Sequence, residues 1–282
     1  MDYIFFQLEK EDGVGRVTIN RPPANAMSLD FLQELSRLLD ELKEDAGVRC
    51  VLFRSALPKY FMAGMDLKTL PPGLDVGELD PSLSPRALMK KVVSSLSGRV
   101  GDIFGVLQAS INKVEALPKP TIAAINGHAL GGGLEFSLGC DFRIMARGKG
   151  TIGLTEVSLG FLPAAGGTQR MTRVLGRAKT IEMILLSKRI TADEAAEIGL
   201  IHKAVEPDDL EPESERLACE LAHKATKAIG KVKQCVYGSE DLPVMEGLAL
   251  ENECLAELML SDDMVEGIAS FVMGTQAEFK GC

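Results

Sequence analysis

Apolar residues follow two rhythms along this chain, and the balance between them shifts from one end to the other. Near the N-terminus, Gly15-Arg16-Val17-Thr18-Ile19 reads as a strand stopped by Pro22 and Pro23. Ser28 is placed to cap a helix whose apolar positions Phe31, Leu32, Leu35, Leu38, Leu39 and Leu42 recur at helical spacing. Val48 to Phe53 is a short apolar run bounded by polar residues, and it reads as a second strand. Strand, helix, strand in that order predicts a parallel pair in an α/β fold.

Residues 71–87 break the rhythm with four prolines and two glycines among acidic residues, and they read as a loop. Val93, Leu96, Val100, Ile103, Leu107, Ile111 and Val114 return to helical spacing, with Ser97-Gly98 and Gly101 expected to kink or divide the helix. This stretch serves either as a cover for the core or as the wall of a substrate pocket. Thr121 to Asn126 reads as a buried strand, Gly131-Gly132-Gly133 as the start of a short helix, and Phe142 to Ala146 as the next strand. Thr191-Ala192-Asp193-Glu194 has capping-box spacing, and Gly199 suits the end of that helix.

Beyond about residue 206 only the helical rhythm remains. Leu217, Leu221, Ala225, Ile229 and Val232 form one stripe. Met245, Leu248, Leu255, Leu258 and Met259 form another, and a third follows Ser261-Asp262-Asp263, whose charges suit a helix N-terminus. The chain therefore divides into an α/β core over residues 1–205 and a helical region over 206–282.

Composition narrows the function. At 282 residues, 46% hydrophobic and 25% charged, the chain can bury a sizeable core. A formal net charge of -9 argues against a general nucleic-acid surface, although backbone amides and a few lysines can still hold phosphates. No basic leader and no apolar run long enough for a membrane span occurs, and the six scattered cysteines read as free thiols of a reducing cytosol. A cytoplasmic protein is expected. Three histidines and no paired cysteines leave no metal site to expect. A P-loop and a Rossmann fingerprint are both absent.

The chemistry concentrates in residues 121–171. Gly131-Gly132-Gly133-Leu134-Glu135 sets a carboxylate in the first turn of a helix whose free N–H groups a ligand can approach closely. Such amides suit the negative charge that develops on a thioester oxygen. Taken alone, the glycine triplet is equally a close-packing feature. Glu156 lies 21 residues further on, just after a short strand and ahead of the loop-rich run Gly160 to Gly167. Two carboxylates on neighbouring loops can divide acid and base roles, but their spacing does not bring them together, and a glutamate alone is more often a solvated or paired surface group.

Four ordered segments carry a resemblance. These are Phe61-Met62-Ala63-Gly64-Met65-Asp66-Leu67-Lys68, then Ala123 to Glu135, then Gly166-Gly167-Thr168-Gln169-Arg170, and Arg189-Ile190-Thr191-Ala192-Asp193-Glu194-Ala195. Together they resemble the crotonase, or enoyl-CoA hydratase/isomerase, superfamily, from about residue 3 to the C-terminus apart from residues 70–115.

The resemblance implies a crotonase-like spiral of β-β-α units with a helical C-terminal region for oligomerisation, as a trimer or a dimer of trimers. It implies an acyl-CoA thioester as substrate and no separate cofactor. By position, the backbone amides of Met65 and Gly132 would form an oxyanion hole. Glu135 and Glu156 would be the two catalytic carboxylates of an enoyl-CoA hydratase. Ala24, Ala63, Asp66, Leu67, Lys68, Gly131, Pro163 and Ala164 would line the CoA and substrate path, with Lys68 facing the CoA phosphates.

Some positions depart from the hydratase pattern. Thr155 replaces a proline before the second glutamate, Leu154 replaces a polar residue, and Ala164 replaces a glycine. Gly274 stands where some members carry a CoA-binding lysine. The 70–115 segment is long and borders the expected acyl pocket. The alternatives are a Δ3-Δ2 enoyl-CoA isomerase, for which one glutamate suffices, and a non-catalytic CoA- or RNA-binding homologue. Retention of both glutamates favours the hydratase.

Overall fold

The computed structural model describes residues 3–66, 84, 86, 87, 90, 91, 93, 94 and 100–282 of the chain. In chain order its strands are β1 (Phe6–Glu11), β2 (Val14–Ile19), β3 (Cys50–Ser55), β4 (Tyr60–Met62), β5 (Thr121–Ile125), β6 (His128–Leu130), β7 (Phe142–Ala146), β8 (Ile152–Gly153) and β9 (Lys203–Val205). Its helices are α1 (Leu29–Glu44), α2 (Val100–Glu115), α3 (Gly132–Gly139), α4 (Gly167–Leu185) and α5 (Ala192–Glu197), followed by α6 (Leu210–Ala222), α7 (Thr226–Gly238), α8 (Val244–Leu258) and α9 (Asp262–Met273). The loop expected over 71–87 and the break expected at Ser97-Gly98 fall largely or wholly outside the described residues.

The strands sort into two sheets. A larger one runs β1-β2-β3-β5-β7-β9 and is parallel after the β1–β2 hairpin. A smaller one, β4-β6-β8, is parallel throughout. Three times in succession a strand of the large sheet is followed within a few residues by a strand of the small one, and this alternation winds the chain into the expected spiral. A six-residue strand such as β2 or β3 carries enough alternation or apolar content to be read from sequence. The two- and three-residue strands of the small sheet carry neither: β8 matches the short strand expected before Glu156, and β4 and β6 are the elements that residue pattern did not reveal.

The α1 helix forms where its pattern requires. Ser28 accepts from the amide of Phe31 at 3.3 Å, and the six predicted apolar positions are all buried. They pack with β2, β3, β5 and α3 in one continuous core. The opposite face of the large sheet, with Leu52, Ile122 and Ile144, is covered by Leu210, Ala218 and Ala222 of α6. The first helix after residue 206 thus packs directly on the sheet. Thr191 and Glu194 form the expected capping box, and Gly199 follows in the left-handed region at φ +77°.

Two sequence expectations are corrected. Gly101 does not interrupt α2, because it sits in the first turn, where a glycine costs a helix little. The stripe from Leu217 to Val232 is two helices, not one. Ala225 is extended at ψ 93°, turning the chain between α6 and α7. No glycine or proline marks this turn, so the periodicity ran straight across it.

Asp141 ties α7 to the sheet. Its carboxylate accepts from the Thr121 amide at 2.8 Å, from Lys233 Nζ at 2.8 Å and from the Tyr237 hydroxyl at 2.7 Å. Both members of the ion pair are nearly buried, so removing one leaves the other poorly solvated. Asp141→Ala is expected to lower unfolding free energy by about 3 kcal/mol, measured by urea denaturation at fixed protein concentration. A loss within experimental error would mean that α7 is held by its apolar contacts alone.

Candidate active site

Three segments of the chain leave the same edge of the small sheet. Its strands pair in register at Met62 with Ala129 and at Leu130 with Gly153. The residues that follow each strand, Ala63 to Asp66, Gly131 to Gly132 and Leu154 to Glu156, are therefore neighbours although up to 93 positions separate them. Ligands commonly bind at the carboxyl ends of parallel strands for this reason.

Gly64 lies in the left-handed region at φ +90°, and a Cβ there would come within 2.9 Å of the Gly132 amide nitrogen. The bare backbone lets Met65 approach Gly132: the Cβ position of Gly132 is 3.5 Å from the Met65 amide nitrogen. The segment is pinned by Met27, whose amide donates to Gly64 O at 2.7 Å and whose carbonyl accepts from the Asp66 amide at 2.9 Å. Neither the Met65 nor the Gly132 amide donates to an oxygen among the described residues. Two adjacent N–H groups without an acceptor among the described residues, one at the first position of a helix, are of the kind that can hold an anionic oxygen.

Glu135 stands on the first turn of α3 and is only 2% exposed. One carboxylate oxygen, Oε1, accepts from the amides of Ala165 and Gly167, each at 2.8 Å. These amides belong to the turn that starts α4, so one helix N-terminus holds the acid of another. Burial drives the Glu135 carboxyl up to about 7, against the Gly167 and Ala165 hydrogen bonds that pull it down, and the charge of Glu156 pushes it further up.

Glu156 opens the short 3-10 turn Glu156–Leu159 just beyond β8. Burial raises its pKa as well. Its Oε2 is buried and takes no hydrogen bond from a described residue, an arrangement that native structures rarely leave without a purpose. Gly131 makes room for this carboxylate. Its φ is +54°, and a Cβ there would lie 2.9 Å from Glu156 Oε1.

The two carboxyls and both free amides border one cavity of about 100 Å³, walled by Phe104, Leu107, Leu159, Phe161 and Leu162. Ala63, Gly131, Thr155 and Ala164 also face it. Of the other residues expected on the substrate path, Ala24 accepts from the Ala63 amide at 3.0 Å and Asp66 pairs with Arg21 at 2.7 Å. Neither of these, nor the buried Pro163, faces the cavity. Leu67 and Lys68 lie outside the described residues. α2 contributes both to the core and to the cavity wall, through Phe104 and Leu107. Sequence reasoning missed that the Ala165 and Gly167 amides hold Glu135. The available signal was Gly166-Gly167 at a helix start.

A family model for enoyl-CoA hydratase/isomerase matches residues 9–85 and 101–282. The chain belongs to the enoyl-CoA hydratase/isomerase family. Among its relatives is the short-chain-enoyl-CoA hydratase of Clostridium acetobutylicum, 34% identical over 94% of this chain and 93% of the relative. The mitochondrial methylglutaconyl-CoA hydratase of Rattus norvegicus is 34% identical over 97% of this chain and 82% of its own length. In structure, the enoyl-CoA hydratase of Bacillus anthracis superposes with a TM-score of 0.83 at 31% identity, over 99% of this chain and all of that one. The crotonase architecture inferred from four motifs is thus shared along the length of the chain.

The charge of Glu156 contributes to the high pKa of Glu135, but burial contributes more. In Glu156→Gln, Glu135 is therefore expected to titrate at lower pH than in the wild type while staying above the ordinary carboxylate range. Carbon-13 NMR of labelled glutamate, with Glu135→Gln to assign the signal, measures this directly. The sign for stability follows. A carboxyl that holds its proton more tightly folded than unfolded contributes stability at low pH, and that contribution is lost as pH rises from about 4.5 through about 7.

Proposed function

We propose that the protein is an enoyl-CoA hydratase, adding water across the α,β double bond of an acyl-CoA thioester. The observation that carries this reading is the convergence of Glu135 and Glu156 on one cavity beside two free backbone amides. An isomerase needs one group to move an α proton. Two carboxyls, both with raised pKa, suit a reaction that takes a proton from water and gives one to carbon.

In this reading the thioester oxygen sits against the amides of Met65 and Gly132. The ionised carboxylate of the pair takes a proton from water as its oxygen bonds to Cβ. Electron density moves through Cα to the thioester oxygen, where the amides hold the negative charge. The protonated partner then delivers its proton to Cα, so one water is added and the two glutamates exchange protonation states. A pair sharing one proton has apparent pKa values that belong to the pair. The unpartnered Oε2 of Glu156 supplies an acceptor for the water. The apolar wall accepts an acyl chain and keeps bulk water from the enolate.

Glu135→Gln and Glu156→Gln are each expected to lower kcat for crotonyl-CoA hydration by roughly a hundredfold or more. The double variant should fall by less than the product of the two. Hydration that survives in Glu156→Gln but not in Glu135→Gln would replace the two-carboxyl mechanism with a single base. Turnover of a 3-enoyl-CoA without hydration of crotonyl-CoA would make the protein an isomerase.

Assembly belongs to the same proposal. Leu260 and Phe271 are each 87% exposed, and Val244, Met245, Val265 and Val272 on α8 and α9 are also open to solvent. Apolar surface on this scale is normally covered by another chain. A trimer, or a dimer of trimers, is expected in sedimentation velocity at micromolar concentration, and a monomer there would contradict it.

A further inference from the structure

One face of α2 is polar, although the helix packs into the core. Leu107, Ile111 and Val114 are buried on the core side. Gln108, Asn112 and Glu115, at i, i+4 and i+7, share a second face. Gln108 bonds directly to the turn that holds Glu135, and Asn112 and Glu115 reach it through Arg170. Gln108 Nε2 donates to Ala164 O at 2.6 Å. Glu115 accepts from Arg170 Nε in an ion pair, and Asn112 Oδ1 accepts from Arg170 at 2.7 Å. Arg170 in turn donates to Ala165 O at 3.2 Å, and its own amide donates to Gly166 O at 2.8 Å. The carbonyls of Ala164 and Ala165 are thus each held by a side chain, while that of Gly166 takes the first backbone bond of α4 itself. The amides of Ala165 and Gly167 point the other way, onto Glu135 Oε1.

We infer that Arg170, clamped by Asn112 and Glu115 and assisted by Gln108, is a positioning residue that fixes the Ala164–Gly167 turn and thereby the place of Glu135. The inference rests on Glu135 being one of the two working carboxyls, but its physical core is the bracket itself. Arg170 is mostly withdrawn from solvent, with 13% of its side chain exposed, and Glu115 is at 24%. A guanidinium fork in that setting fixes geometry more firmly than a surface ion pair.

Two terms in the proton affinity of Glu135 pass through the bracket. The turn amides favour its ionised form, and so does the positive charge of Arg170. The titratable and charged groups around this cluster are Glu156 on the cavity side, Glu115 on α2, Arg173 on α4, and Lys233, Tyr237, Glu240 and Asp241 from α7 and the turn after it. Loosening the bracket weakens both favourable terms, so the Glu135 proton should become harder to remove.

The test uses the full chain with Arg170→Met, Arg170→Lys and Gln108→Ala. Two readouts are taken: the carbon-13 titration of Glu135, which needs no turnover, and kcat and KM for crotonyl-CoA. Arg170→Met should titrate Glu135 at higher pH than the wild type. It should also lose roughly ten- to a hundredfold in kcat, the scale of a misplacement of about 1 Å, with KM little changed. Arg170→Lys keeps the charge without the fork and should fall between. Gln108→Ala, at an exposed position, frees one carbonyl and should move both readouts less, in the same direction. If Arg170→Met does not fold, the other two variants decide on the same readouts. Folded variants that all titrate Glu135 at the wild-type pH, with wild-type kcat, would overturn the inference. A shifted titration in a protein whose wild type hydrates no enoyl-CoA would remove the proposed function and leave the bracket standing.

Discussion

The close approach of Gly64 to Gly132 is the contact on which the site depends. A side chain at Gly64 would meet the Gly132 amide nitrogen at 2.9 Å, and the two free N–H groups could no longer converge. That approach in turn needs the parallel register of β4 and β6, which brings Ala63–Asp66 beside Gly131. The small sheet has few backbone bonds of its own. It is held because each of its strands is tethered to a strand of the large sheet only a few residues away, and Phe61, Met62, Ala129 and Ile152 are fully buried. The approach of Gly64 to Gly132 is therefore supported by the core.

A second balance governs the two buried carboxyls. Burial of Glu135 favours its protonated form, and the hydrogen bonds from the turn amides favour its ionised form. The structure combines the two. Desolvation is the largest effect, two turn amides oppose it, the neighbouring carboxyl adds to the rise, and the result is about 7. Near that value a carboxyl is available in either protonation state at physiological pH. Glu156 differs in kind. It too is raised by burial, but its Oε2 has no described partner. One carboxyl is anchored and the other keeps an open acceptor, an asymmetry that suits one group to hold position and the other to meet a small reactant.

Much of this was legible in the sequence, and the illegible parts share a cause. The α1 stripe, the Ser28 cap, the Thr191 capping box and the buried β5 strand each follow from local pattern, and local pattern is what a sequence displays. The pairing of Glu135 with Glu156 does not. It is produced by strands of two or three residues, too short to show alternation, and by register between segments far apart in the chain. The turn between α6 and α7 was hidden because no breaker residue marks it. The role of Gln108, Asn112 and Glu115 was hidden for another reason: polar residues on one face of a helix ordinarily mean solvent, and here they mean a backbone turn. Motif resemblance supplied the long-range pairing that periodicity could not.

The central claim is that two buried carboxyls in one cavity add water to an acyl-CoA thioester. The most direct measurement is mass spectrometry of crotonyl-CoA and a panel of other enoyl-CoA thioesters incubated with the wild-type protein in oxygen-18 water. The account predicts a 3-hydroxyacyl-CoA product carrying one heavy oxygen, with none in the thioester carbonyl. Recovery of every thioester unlabelled, whether unchanged or with only its double bond moved, would contradict it.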